Sequence, residues 1–228
     1  MPTSPAAPAR RSRAPWIIGA VVVVVAVLFA VVQLTSGGGD GGDVATGPAQ
    51  TAGPAGSGSQ SLVTAPVTVN GAALPAIPEN GKDPAVGRPF PGITGSNVLD
   101  GSPVAITADG RAKVVIYVAH WCPHCQAEVP VITAWLAAKG RPADVDLYAV
   151  STAVAPDRGN FPPASWLVRE KWPIATLADD AGGSAFRAAG LSSFPSFVAV
   201  GADGTVRARA MGELETAAFE ALLARARA

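Results

Sequence analysis

The sequence predicts an α/β sandwich built on a mixed sheet, set behind a long apolar segment and a tether. Three observations predict it. From about residue 84, short β-branched runs alternate with helical patterns, an order that buries a sheet between helices. The chain then ends on a hairpin and a helix rather than on another strand–helix unit. The only two cysteines among 228 residues stand in "HWCPHC", residues 120–125, between a predicted strand and a predicted helix.

Residues 16–34 read "WIIGAVVVVVAVLFAVVQL" and carry no charge. As a helix they span about 28 Å, close to a hydrocarbon core of roughly 30 Å. In lipid the backbone has no other partner, so even this valine-rich run is expected to be helical. Arg10, Arg11 and Arg13 precede it, and Asp40 and Asp43 follow it. That asymmetry puts residues 1–15 in the cytoplasm and everything after Leu34 outside, with Trp16 at the interface. A cleaved signal peptide is the competing reading. It is disfavoured by the length of the run and by the lack of an A-x-A site directly after it. Both readings export the domain. The expectation is a single-pass protein of the cell membrane, held by a signal-anchor helix.

Residues 35–80 read as a linker rich in Gly, Pro and Ser. Between residues 36 and 61 Val44 is the one large apolar residue, so little offsets the entropy of ordering this stretch. A Gly-rich coil of that length reaches roughly 25–30 Å. Residues 62–80 are more apolar but proline-broken, and part of them is expected along the domain surface. The domain proper is expected at 81–228.

Within it, "VLDGSPVAI" (98–106) predicts a hairpin turning at Asp100 and Gly101. "KVVIYV" (113–118) predicts a strand buried on both faces. Val129, Ile132 and Leu136 are at helical spacing between Cys125 and Ala138, and Gly140 closes that helix. A strand at 145–151, a helix at 163–172 stopped by Pro173, a strand at 174–179 and a short helix at 183–190 follow. Strands at 196–200 and 205–210 flank "GADG" as a hairpin. The last helix, 213–228, has acids early and arginines late, matching the helix dipole.

Lys and Arg number 17, as do Asp and Glu, so a zero net charge gives no electrostatic case for nucleic acid. Two cysteines rule out a disulfide-framework protein. Cys122 follows a buried strand and Cys125 lies in the first turn of a helix, where free N–H groups favour a thiolate. A C-x-x-C beside a βαβ pattern is a thioredoxin-like redox motif. A structural zinc site lacks room for four ligands among His120, Cys122, His124 and Cys125. Cu(I) accepts two thiolates, so a copper-handling protein stays open. Gln126 after Cys125 excludes c-type haem, and a purely structural disulfide at this spacing would constrain little.

These residues carry a resemblance. "VGRPFP" (86–91), "GRAKVVIYVAHWCPHCQAEVPVI" (110–132) and "SSFPSFVAV" (192–200) resemble, in order, segments of the TlpA/ResA branch of the thioredoxin-like superfamily. Those are membrane-anchored disulfide oxidoreductases of bacterial envelopes. Glu128 and Pro130 match the W-C-x-x-C-x-x-E-x-P signature. The chain departs in having Ala119-His120 before the tryptophan and Ile116 where cytosolic thioredoxins bury an acid. Pro123-His124 matches the dipeptide of DsbA-type oxidases.

The resemblance implies roles. Cys122 would be the exposed nucleophile and Cys125 the buried resolving thiol, together forming the redox-active disulfide. Glu128 would shuttle protons to them, or simply be a first-turn acid favoured by the helix dipole. Trp121 would shield the disulfide, with His120 a partly exposed neighbour. Pro195, after Phe194, would be cis and would present the Phe194 backbone to an extended substrate. The expected activity is thiol–disulfide exchange leaning to oxidation, or else a reductase serving cytochrome c maturation. Exported thiol- or disulfide-containing proteins and a membrane redox partner are the expected partners. No cofactor and no metal are expected, and the protein is expected to be monomeric.

Overall fold

The computed structural model of the protein describes residues 62–228. The predicted tail at 1–15, the apolar span at 16–34 and the tether as far as residue 61 lie outside the described residues. Among the described residues no helix is long and apolar enough to cross a membrane.

The elements run β1 (Thr68–Asn70), β2 (Gly92–Ser96), β3 (Pro103–Ile106), β4 (Ala112–Val118), α1 (Pro123–Lys139), β5 (Val145–Ser151), α2 (Pro163–Arg169), β6 (Ala175–Ala178), α3 (Ser184–Ala188), β7 (Ser196–Val200), β8 (Val206–Met211) and α4 (Thr216–Arg227). One sheet has the order β6-β5-β4-β7-β8. Its β4, β5 and β6 run parallel, while β7 and β8 are antiparallel. A second, antiparallel sheet has the order β1-β2-β3. This is a thioredoxin-like α/β fold with a mixed central sheet, as the sequence predicts.

β4 is central because it has an apolar side chain for each face. All seven of its residues are buried. Val114, Ile116 and Val118 join a core with Val129, Ile132 and Leu136 of α1 and Phe219, Leu222 and Leu223 of α4. Val115 and Tyr117 point the other way, into a core with Ile93, Ile106, Leu177 and Leu191. That alternation is the period-2 geometry of a strand covered on both sides. Lys113 sits in this run buried to its tip, with its ammonium satisfied by Asp109 at 2.7 Å and the Arg111 carbonyl at 2.8 Å.

Three expectations need correction. First, the 98–106 hairpin is displaced: its arms are β2 and β3, and residues 98–100 form the turn. Asn97 Oδ1 accepts the Leu99 N–H at 3.0 Å and Asp100 Oδ1 the Ser102 N–H at 2.9 Å. Those side chains close the loop where the sequence suggested a two-residue turn.

Second, the domain begins before residue 81. β1 pairs with β2 in the register Thr68–Thr94, Val69–Ile93 and Asn70–Gly92. Ala65 and Leu74 are buried, and the Leu74 N–H donates to Ala188 O at 2.9 Å. Prolines break the helical and strand patterns of 62–80 without preventing short pairings.

Third, the last helix starts at Thr216, so Glu213 and Leu214 lie in the loop before it and Glu215 at its N-cap. Glu213 is therefore not an acid of the first helical turn.

Candidate active site

The site forms where β4 ends and α1 begins. Ala119 O accepts the Cys122 N–H at 3.0 Å and so turns the chain. Cys122 is the N-cap of α1, with extended backbone at φ −74° and ψ 121°. Pro123 follows at the first helical position, where its fixed φ suits the helix and its missing N–H would have been unpaired anyway. Cys125 falls within the first turn, and its Sγ accepts the Ala119 N–H at 3.4 Å.

Both cysteines are free thiols. Cys125 is fully enclosed, and burial pushes its thiol well above the usual range. The Ala119 N–H opposes that push, while Cys122 and Glu128 add to it. The expectation of an exposed Cys122 is corrected: it retains 6 % of its surface. The cause is the loop before β7, where Phe194 O accepts the Cys122 thiol at 3.6 Å. Cys122 is still the more accessible of the two.

The Phe194–Pro195 peptide is cis. The Phe194 ring packs against Phe186 at 4.5 Å and meets Trp121 edge-on at 6.2 Å. Trp121 is half-buried and its indole N–H donates to Ala153 O at 2.7 Å.

His120 is corrected from a partly exposed neighbour to a fully buried anchor. Its Nδ1 lies 2.8 Å from Gly159 O, and its Nε2 accepts the Ala155 N–H at 3.2 Å. One nitrogen donates and the other accepts, which describes a neutral ring. Burial lowers its proton affinity, against the pull of the Gly159 carbonyl. With both nitrogens spent on the protein, His120 is not available as a metal ligand.

Glu128 is buried on the same helix, one turn beyond Cys125. Its Oε2 accepts the Leu214 N–H at 2.8 Å, and its Oε1 has no hydrogen-bond partner among the described residues. Burial raises its carboxyl above the usual range; the Leu214 N–H opposes this and the Glu213 charge reinforces it. Glu128 lines a cleft of about 400 Å³ with Ala127, Val131, Glu213 and Leu214 among its walls. His124 engages the loop before α4: its Nδ1 hydrogen-bonds Glu213 Oε1 at 2.5 Å, with the two side chains 68 % and 47 % exposed. Ile116, in place of an acid, is buried in the core beneath the site.

Sequence reasoning missed two segments. One is the connection 152–162, which carries Ala153, Ala155 and Gly159 to Trp121 and His120. Arg158 places its guanidinium 4.7 Å from the centre of the Trp121 ring, a cation–π distance. The signal was its length and its "APDRGNFPP" composition, more than a strand-to-helix turn requires. The other is the Gly212–Glu215 loop, for which no local pattern gives a signal. Among the described residues no cluster of three or more His, Cys, Asp or Glu side chains could hold a metal ion.

An N-cap thiol and a buried thiol joined by a two-residue spacer, facing a cis proline on a thioredoxin-like sheet, define a thiol–disulfide oxidoreductase. Residues 85–223 match the Redoxin family model, and the chain belongs to the Redoxin family. No curated protein matches it. Among solved structures it is similar to a protein of Bacteroides thetaiotaomicron described as a candidate protein disulfide isomerase. The two are 20 % identical over 61 % of this chain and 86 % of that one, with a TM-score of 0.50, a likeness of fold. StoA of Bacillus subtilis is 17 % identical over 61 % and 99 % of the two chains, with a TM-score of 0.49. A secreted Mycobacterium tuberculosis disulfide oxidoreductase homologous to E. coli DsbE is 25 % identical over 58 % and 92 %, with a TM-score of 0.45.

Proposed function

We propose that the protein is a membrane-anchored oxidoreductase outside the cytoplasm that passes a disulfide from Cys122–Cys125 to exported proteins. The observation that carries this reading is the asymmetry of the dithiol. Cys122 caps a 17-residue helix at its anion-favouring end, while Cys125 is enclosed where a thiolate is costly and lies one turn from a buried acid.

In the oxidising direction a substrate thiolate attacks Cys122 Sγ. The Cys122–Cys125 bond breaks and Cys125 leaves with the electron pair. Its surroundings resist that charge, so it takes a proton, and Glu128 is the acid three positions along the helix whose proton affinity burial raises. A second substrate thiolate then attacks the substrate sulfur of the mixed disulfide and releases Cys122 as a thiolate at the helix N-terminus. Phe194 and Trp121 flank Cys122 and offer the apolar face on which an extended polypeptide would lie. The released dithiol must then be reoxidised, which calls for a membrane redox partner.

Glu128→Gln should slow exchange with a reduced model peptide and remove the inflection of the pH–rate profile above the ordinary carboxylate range. The sign for stability follows from the raised folded-state proton affinity: stability falls as pH rises from the unfolded value through the folded one. Glu128→Gln should remove that step as well. A pH–rate profile identical to wild type would reduce Glu128 to a structural acid.

Anchoring rests on the uncharged run at 16–34 and the arginines before it. Full-length protein should stay with membranes after salt washing, and Cys122 should react with an impermeant thiol reagent added outside the cell. A soluble mature form beginning after the apolar run would replace the anchor with a cleaved signal.

A further inference from the structure

The loop between β8 and α4 touches three parts of the site with three consecutive residues. The Gly212 N–H donates to the Pro195 carbonyl at 2.8 Å, next to the cis peptide. Glu213 Oε1 accepts from His124 Nδ1 at 2.5 Å. The Leu214 N–H donates to Glu128 Oε2 at 2.8 Å, the only hydrogen bond on that carboxyl among the described residues. Gly212 turns the chain at φ 90°, in the region glycine occupies readily, so its neighbours can face α1.

We propose that this loop couples the His124 side chain to Glu128, with Glu213 as a positioning residue: the His124–Glu213 hydrogen bond holds the loop where the Leu214 N–H stays on the buried carboxyl. The proposal rests on the reading of Glu128 as the proton donor, but concerns how its proton affinity is set. An exposed side-chain pair is weak by itself. Its effect here comes from what it positions, because Glu213 and Leu214 share a peptide unit and cannot move independently.

Two contributions reach Glu128 through the loop, with known signs. The Leu214 N–H stabilises the carboxylate and lowers its proton affinity. The Glu213 charge raises it. The other titratable groups facing Glu128 are Cys125 on its own helix and Glu215 across the cleft, and neither is altered in the test.

The two ends of the clip therefore give opposite results. His124→Ala frees the loop and leaves the Glu213 charge without its partner, and both changes make Glu128 hold its proton to higher pH. Glu213→Gln keeps an acceptor for the His124 Nδ1–H and removes only the charge, so Glu128 titrates at lower pH. The side chains are exposed, so neither variant opens the core. The experiment is an infrared pH titration of reduced full-length protein in detergent, following the protonated-carboxyl band that Glu128→Gln removes. A band midpoint displaced upward in His124→Ala and downward in Glu213→Gln supports the coupling. Midpoints that stay in place, or move the same way, overturn it. A split with an unaffected exchange rate in Glu128→Gln would keep the coupling and dismiss the proton-donor reading alone.

Discussion

Replacing Cys122 by serine is expected to abolish disulfide exchange, and replacing Cys125 by serine to leave a protein that collects its partners as mixed disulfides. Cys122 retains the little surface the dithiol offers, while Cys125 is sealed under the Ala119–Trp121 turn with its thiol pushed up by burial. Serine is itself a favoured N-cap, so Cys122→Ser should keep α1 intact. Serine at 125 still offers an acceptor to the Ala119 N–H. The loss is therefore chemical rather than structural. Without Cys125 the Cys122–partner bond has no internal thiol to break it. Non-reducing gels and mass spectrometry of the trapped species check both halves. Partners trapped through Cys125 in the Cys122→Ser protein would reverse the two roles.

Asp83→Ala is expected to destabilise the domain by about 3–5 kcal/mol, the range for breaking a buried ion pair from one side. The Arg209 side chain is fully enclosed and Asp83 is 16 % exposed. Two hydrogen bonds at 2.9 and 2.5 Å join them, and Arg209 also donates to Ala189 O at 2.8 Å. Removing the carboxylate leaves a guanidinium in the interior with carbonyls alone. Burial, the largest single influence, pushes the Asp83 carboxyl up, but the Arg209 hydrogen bonds, the Ala85 N–H and the Arg209 charge together hold it below the usual carboxylate range. A depressed carboxyl contributes stability above its unfolded value and loses it as pH falls through the folded one. The gap between wild type and Asp83→Ala should thus be full at neutral pH and close in acid. Denaturant melts across that range measure it. Equal midpoints at neutral pH would show that the segment around residue 83 is not fastened to the sheet.

That segment also marks where sequence reading stops. β4 was legible because a run buried on both faces is apolar at every step but Lys113. The dithiol was legible because its motif is local, and Glu128 because it stands three positions after Cys125 on one helix. β1 was not legible: three residues, Thr68–Asn70, give no periodicity, and their partner is β2, more than twenty residues on. Glu213 read as an acid complementing the dipole of the last helix. It is outside that helix and bound to His124, 89 positions away in sequence. His120 read as partly exposed because its two partners, Gly159 and Ala155, lie in a loop without regular pattern. Long-range partners of this kind depend on where the chain returns in space, and a one-dimensional pattern does not contain that.

The direction of electron flow is the central claim, and the potential of the Cys122–Cys125 couple tests it most directly. Whatever stabilises the departing Cys122 thiolate makes the disulfide a stronger oxidant. The N-cap position of Cys122 acts in that direction; His124, in the first turn of the same helix, adds to it only so far as Glu213, its hydrogen-bond partner, allows. Equilibration of full-length protein with glutathione buffers should give a value nearer the roughly −120 mV of DsbA than the roughly −270 mV of thioredoxin. His124→Pro should move it toward the reducing end by tens of millivolts, where 30 mV is about 1.4 kcal/mol. A wild-type potential below about −250 mV would contradict the oxidising role and make the protein a reductase.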